Sequence, residues 1–323
     1  MRSSDRRAAL AVAIAMLMTA APSRARAQVQ AQGFAVERFT PSAPGGGWFV
    51  MDALDLRGGL GGAMGMVVGY SHNPLRVRSE DGAEHLTVVS NQAFANFGFA
   101  ATYDRFRLYL DLALPLVVKG NSGTLGGMTF TAPTVDPGSN PDTLSDARIG
   151  FDGRLIGTAS SAFRLGAGAQ LLVPNGNRSD YVTDHTYRAM GRVLFAGDVG
   201  HFTYAGHLGA HLRPLDDSTT QGSPRGSELL FGVAAGSRFF VCGGCRTALV
   251  VGPEIYGATA FRSSFTTNAT ALEGLLTGRL EGSADDGPQL RVKLGIGAGF
   301  NAHFGAPEAR LLFGLEVFDH AAK

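Results

Sequence analysis

The chain is poor in cysteine, in tryptophan and in charge. Among 323 residues there are two Cys and one Trp, and charged residues make up 17%. Two thiols cannot complete a tetrahedral zinc site alone. Apolar content of 45% with so little charge argues against a disordered chain, and a helical membrane protein would be greasier. After the first 27 residues no stretch reaches 18 continuous apolar positions, so no membrane-crossing helix is expected. The P-loop, the dinucleotide-binding fingerprint and Gly-x-Ser-x-Gly are all missing. What is abundant is glycine, 45 residues of it.

The beginning of the chain sets an expected compartment. Arg2, Arg6 and Arg7 precede an apolar run from Ala8 to Ala21, and Ala25-Arg26-Ala27 offers a small-x-small cleavage site. A charged start, a short apolar core and an A-x-A end describe a secretory signal peptide over residues 1–27. That segment carries five Arg and one Asp, so its removal turns the formal +1 into −3. A slightly acidic mature chain gives no reason to expect nucleic-acid binding. Residues 28–56, broken by Pro41, Pro44 and Gly45-Gly46-Gly47, are expected as a periplasmic lead-in or partial plug, with a short extra strand as the alternative.

From residue 57 to 318 the side-chain period is two. The end of the chain shows it: Leu311, Phe313, Leu315 and Val317 are apolar, while Arg310, Gly314 and Glu316 between them are polar or small and Leu312 is the exception. Phe106, Leu108, Leu110, Leu112 and Leu114 likewise alternate with Arg105, Arg107, Tyr109, Asp111 and Ala113. In a strand such alternation puts one set on each face. The pattern recurs about a dozen times, with long polar connections alternating with short ones. The first of the long connections is expected at Ser71–Glu84. The fold class expected is all-β: a transmembrane antiparallel up-and-down barrel of about 12 strands, greasy outside and wet inside. Aromatics gathered at the short-turn ends (Tyr103, Phe106, Phe163, Phe195, Phe202, Phe239, Phe240 and Phe318) suit an interfacial girdle. Residues 319–323 form a short tail.

The inward parity carries charges of both signs. Candidate lumen-lining residues are Arg105, Arg107, Asp111, Arg148, Asp152, Arg154, Arg188, Arg192, His207, His211, Glu228, Arg238, Glu254, Arg279, Arg291 and Lys293. In an open barrel they would bias solute passage; in a closed one they would pair and fill it, and twelve strands alone do not choose. Inward glycines such as Gly166, Gly168, Gly295, Gly297 and Gly299 suggest lumen space or sockets for neighbouring rings. His207 and His211 sit about 13 Å apart along a strand, too far to share one ion without help from other strands, so polar lining is the reading and no metal is expected. Cys242-x-x-Cys245 lies in a turn, without the helix N-terminus that lowers a reactive thiol's pKa, and is expected as a disulfide. Twelve-stranded membrane phospholipases carry Ser, His and Asn on the lipid-facing wall. Here the strand histidines face inward, so catalysis is not expected, nor any cofactor.

The segment Phe34-Ala35-Val36-Glu37-Arg38-Phe39-Thr40-Pro41-Ser42, with Trp48-Phe49 and Leu54-Asp55-Leu56-Arg57-Gly58, resembles the N-terminal region of myxobacterial outer-membrane barrels often assigned to the OmpA family. The barrel is also similar to outer-membrane transporters associated with aromatic-degradation pathways. The sequence ends five residues after Phe318, without a C-terminal peptidoglycan-binding domain, so the resemblance does not imply a cell-wall tether. It does imply a Gram-negative outer membrane, and as partners membrane lipid, small-molecule solutes and the barrel-assembly machinery, which a terminal aromatic such as Phe318 helps to engage. The function expected is a passive channel or transporter for small hydrophilic solutes. The alternative is a closed structural or surface-interaction barrel working through its loops.

Overall fold

The computed structural model describes residues 29–320 apart from 57, 80, 139–143, 216–225, 242–246, 283–287 and 302–303. The signal-peptide segment and the Cys242/Cys245 pair therefore lie outside the described residues. Twelve long strands form one closed ring: β1 (Leu60–Arg78), β2 (His85–Tyr103), β3 (Phe106–Lys119), β4 (Ala147–Ile156), β5 (Arg164–Val173), β6 (Arg188–Val199), β7 (Phe202–Leu212), β8 (Glu228–Phe240), β9 (Ala248–Ala260), β10 (Thr270–Glu281), β11 (Gln289–Gly299) and β12 (Ala309–His320). Each pairs antiparallel with its neighbours in sequence, and β12 closes on β1 from Ala309 opposite His72 to His320 opposite Gly61. Closure leaves neither of these two strands with an open edge, which the bilayer core requires.

The two faces separate as the alternation demands. On β3, Phe106, Leu108, Leu110 and Leu112 are exposed on the outside, while Arg107, Tyr109 and Asp111 are buried inside. Ile149, Val193, Leu208, Val233, Leu276, Leu294 and Leu311 continue the apolar outer wall around the ring. The turns β2–β3 and β6–β7 are two residues each, Asp104-Arg105 and Gly200-His201. The longest described connections, β3–β4 and β5–β6, sit at the opposite mouth.

Three expectations need correction. Strand β1 does not stop near Tyr70 but runs to Arg78, paired throughout with β2. Register shifts between His72 and Arg76 break the parity there, so the alternation fades although the ladder continues. Phe318 does not join the outer girdle: it is buried, and the Arg291 guanidinium lies 4.5 Å from its ring centroid. Tyr103, Phe163, Phe202, Phe239 and Phe240 of the same group are exposed near the tight-turn mouth. Arg105 belongs to the β2–β3 turn, where its exposed side chain lies 3.5 Å from Asp104, because the sequence alternation runs one residue past the strand.

A lumen occupied by the N-terminal segment

The residues before β1 run inside the ring from one mouth to the other. At the long-loop mouth Val29–Gln30 pairs parallel with Met128–Thr129 of the β3–β4 connection. There Phe34 packs edge-on against Tyr181 and Phe304, within a buried cluster that also holds Val36, Val88, Val118 and Val182. Lower down, Phe39, Trp48, Phe49, Val50, Met51 and Leu54 form a second core with inward residues of the wall, among them Phe94, Leu194, Val250, Leu275 and Leu312. The segment leaves at the tight-turn mouth, where the Gly58 N–H donates to the Asp104 carbonyl.

Twelve strands enclose more space than wall side chains fill, since about eight strands give an interior just wide enough for them. Here the chain itself fills the excess, and the wall is shaped to receive it. A Cβ on Gly236 would lie 2.7 Å from Trp48, and one on Gly295 would lie 2.8 Å from the Phe49 ring. A Cβ on Gly98 would lie 2.6 Å from Pro44. These inward glycines are sockets for the segment rather than open lumen.

Polar anchors fix the segment at three levels. Near the long loops, Arg38 pairs with Glu228 at 2.9 Å, and the Ala35 N–H donates to Asp184 at 2.8 Å. Arg213 bridges Asp184 (2.7 Å) and Glu228 (2.9 Å), and His211 Nδ1 lies 3.3 Å from Glu228. Burial pushes the Asp184 carboxyl up, but Arg213, Arg188 and the Ala35 amide outweigh it and hold the group well below the usual carboxylate range. In the middle, Arg310 joins Glu37 (2.7 Å) to Glu273 (2.5 Å), and Arg148 joins Asp111 (2.7 Å) to the Pro41 carbonyl (2.6 Å). Arg188 pairs with Asp146 at 2.6 Å at the long-loop ends of β6 and β4.

The lowest level is the densest. Glu254 accepts hydrogen bonds from the backbone N–H groups of Phe49 (2.8 Å), Val50 (2.9 Å) and Met51 (3.3 Å), and from the Thr277 hydroxyl (2.7 Å). Lys293 donates to the Trp48 carbonyl and pairs with Glu316 at 2.5 Å. Arg107 bridges Asp52 of the segment and Asp152 of the wall, and Arg192 approaches the same Asp152 at 3.4 Å. The Arg279 guanidinium stacks 4.6 Å from the Trp48 ring centroid, and Arg291 pairs with Glu316 and Glu281. Arg154 donates to the carbonyls of Leu54 and Leu56. Buried pairs of this kind add little net stability, but removing one partner costs about 3–5 kcal/mol by stranding the other. They specify one seating of the segment.

Of the sequence candidates, Arg107, Asp111, Arg148, Asp152, Arg154, Arg188, Arg192, His207, His211, Glu228, Glu254, Arg279, Arg291 and Lys293 are buried inside the ring. Arg238 is part-exposed beside Asp198, and Arg105 lies outside. The candidate set left out the N-terminal contributors Glu37, Arg38 and Asp52, the loop residue Asp184, and wall residues Asp146, Arg213, Glu273, Arg310 and Glu316. The wall residues Asp146, Arg213, Glu273, Arg310 and Glu316 share the inward parity; nothing periodic marks residues 37, 38 and 52.

Among the described residues, the spaces beside the segment include one near each mouth. One, of about 140 Å³, lies toward the long loops between Phe39, Pro41 and the β6–β8 wall. The other, of about 820 Å³, is a vestibule at the tight-turn mouth bounded by Asp55, Arg105, Arg154, Asp198 and Arg238. Comparison with solved structures places the fold. An outer membrane channel from Pseudomonas putida F1 is similar at TM-score 0.50 and 15% identity, over 80% of this chain and 94% of that one. The NanC porin (TM-score 0.44, 7% identity, 80% and 100% covered) and the β domain of the Bordetella autotransporter BrkA (0.42, 10%, 81% and 99%) are more distant. No protein-family model and no curated protein matches the sequence. The chain is an outer-membrane-type β-barrel.

Proposed function

We propose that this barrel is a channel of the Gram-negative outer membrane, closed at rest by its own residues 31–56, which passes small hydrophilic solutes when that segment shifts. The supporting observation is the pairing of lumen charges with the segment. Glu254, Lys293, Arg154, Arg148 and Arg310 each spend at least one bond on residues 37–56. Arg148, Arg310 and Lys293 also pair across the wall, with Asp111, Glu273 and Glu316, so the wall keeps ion pairs of its own when the segment leaves. Here displacement of one continuous piece of chain uncovers a polar lumen. Lipid is the partner of the exposed apolar wall, and the assembly machinery that of the closing strand.

The test is single-channel conductance of the refolded barrel with and without residues 29–56. The full chain should give rare, small steps and the shortened barrel large, sustained ones. Silence from a shortened barrel whose strands have folded would overturn the channel in favour of the rival reading, a closed barrel working through its loops. That reading draws on the three levels of buried ion pairs.

A further inference from the structure

The 140 Å³ space has a wall of uneven chemistry. Its carboxylates are all engaged: Glu37 and Glu273 by Arg310, Asp111 by Arg148, and Asp146 by Arg188. Its donors are not. Arg148 Nη1, Arg188 Nε, Arg192 Nε and His207 Nδ1 are buried and have no hydrogen-bond partner among the described residues, each an unmade bond worth about 1–3 kcal/mol. Gln92 Oε1 is the one acceptor of an amide left in the same condition there. Arg192 is also the least matched cation, since Asp152 at 3.4 Å is held more closely by Arg107 at 2.7 Å.

The sheet register sets two of these residues, Arg192 and His207, side by side on the cavity wall. Arg192 of β6 lies opposite Gly209 of β7, and Gly209 lies opposite Leu230 of β8. Leu194 lies opposite His207, two positions along β7 from Gly209. A Cβ on Gly209 would lie 2.9 Å from Arg192 Cγ, so the glycine lets the Arg192 side chain lie across β7 beside His207, with apolar Leu230 on the next strand. Met190 and Phe39 complete the apolar side. An apolar cavity of about 150 Å³ takes a body the size of benzene, so roughly six carbons fit here.

We propose that this cavity binds a small organic monocarboxylate, its oxygens received by Arg192 and His207 and its apolar body by Met190, Leu230 and Phe39. The inference rests on the channel reading for its meaning, as a waypoint for a solute in passage, but not for the binding itself. The wall's carboxylates are already paired, so the ligand is held by spare hydrogen bonds and is free to leave.

Titration of the folded full chain in micelles with carboxyl-¹³C hexanoate, followed by NMR, tests it. Saturable binding is expected, with hexanamide weaker by about tenfold or more, as loss of a charge-assisted bond implies. Arg192→Gln should weaken hexanoate similarly and Arg192→Lys restore part of it. Should those variants fold poorly, Ala271→Phe fills the cavity without touching a charge and should abolish binding. Equal affinity for the amide, no saturation, or full binding in Ala271→Phe overturns the site. Solute flux into liposomes without saturable hexanoate binding overturns the site alone. Binding without flux from any form supports the site and counts against the channel.

Discussion

Replacing Glu254 by Ala should unseat the N-terminal segment while leaving the ring intact. The Glu254 carboxylate holds three consecutive backbone amides, two of them at 2.8 and 2.9 Å, in a fully buried position. A hydrogen bond to a charged group contributes about 1.5–3 kcal/mol, so the two short bonds alone amount to about 3–6 kcal/mol. At 1.4 kcal/mol per decade, the seated-to-released ratio falls by roughly two to four decades. Strand pairing does not depend on these bonds, since β9 keeps its ladders to β8 and β10. Trp48, the only tryptophan, reports the outcome because it is wholly buried beside Phe49. Its emission should shift to the red and become quenchable by iodide, with the β-sheet circular dichroism retained and conductance raised. Glu254→Gln, which keeps one acceptor oxygen, should fall between. Native strands with Trp48 as shielded as before, and no added current, would refute the reasoning.

Three further outcomes are expected. Leu110→Arg, on the exposed face of β3, should cost about 2–4 kcal/mol of folding into liposomes if it lies near the midplane, against far less for Arg at exposed Tyr103 near the turn, measured by urea titration. Gly295→Val places a side chain where the Phe49 ring sits, so it should expose Trp48 with the barrel still folded, read by the same fluorescence. Asp184 is held below its ordinary range, so its contribution is complete above the unfolded value near ~3.9 and is lost only as pH falls through the lower folded value. Amide exchange at Ala35, corrected for intrinsic rate, should therefore stay protected from pH 7 to 5 and loosen only well below ~3.9; loosening at pH 5 would contradict this.

The ring was legible because a lipid-facing strand must repeat every second residue, and β3 does so from Phe106 to Leu112. Its contents were less so. Leu312, the apolar intruder among Arg310, Gly314 and Glu316, was the visible sign of an inner core: it packs in the cluster with Phe49 and Val50. Phe94, Leu194, Val250 and Leu275 broke the polar side of the pattern for the same reason. The segment that meets them has no period to read, since Pro41, Pro44 and the three glycines give it neither strand nor helix spacing. Its partners lie as far off in sequence as Glu254 and Lys293, and local pattern cannot register such pairs. The long reach of β1 was hidden likewise, by the irregularity around Asn73-Pro74.

The closure of β12 upon β1 also constrains how the molecule is put together. A filament lying inside a finished ring cannot be slipped in sideways. Either the first residues are already laid along the growing sheet when the last strand zips shut, or they must be drawn endwise past every ion pair they later make. A fluorophore attached at exposed Val29 would therefore appear at the mouth opposite the two-residue turns, and the rate at which it becomes accessible there would clock the last act of assembly.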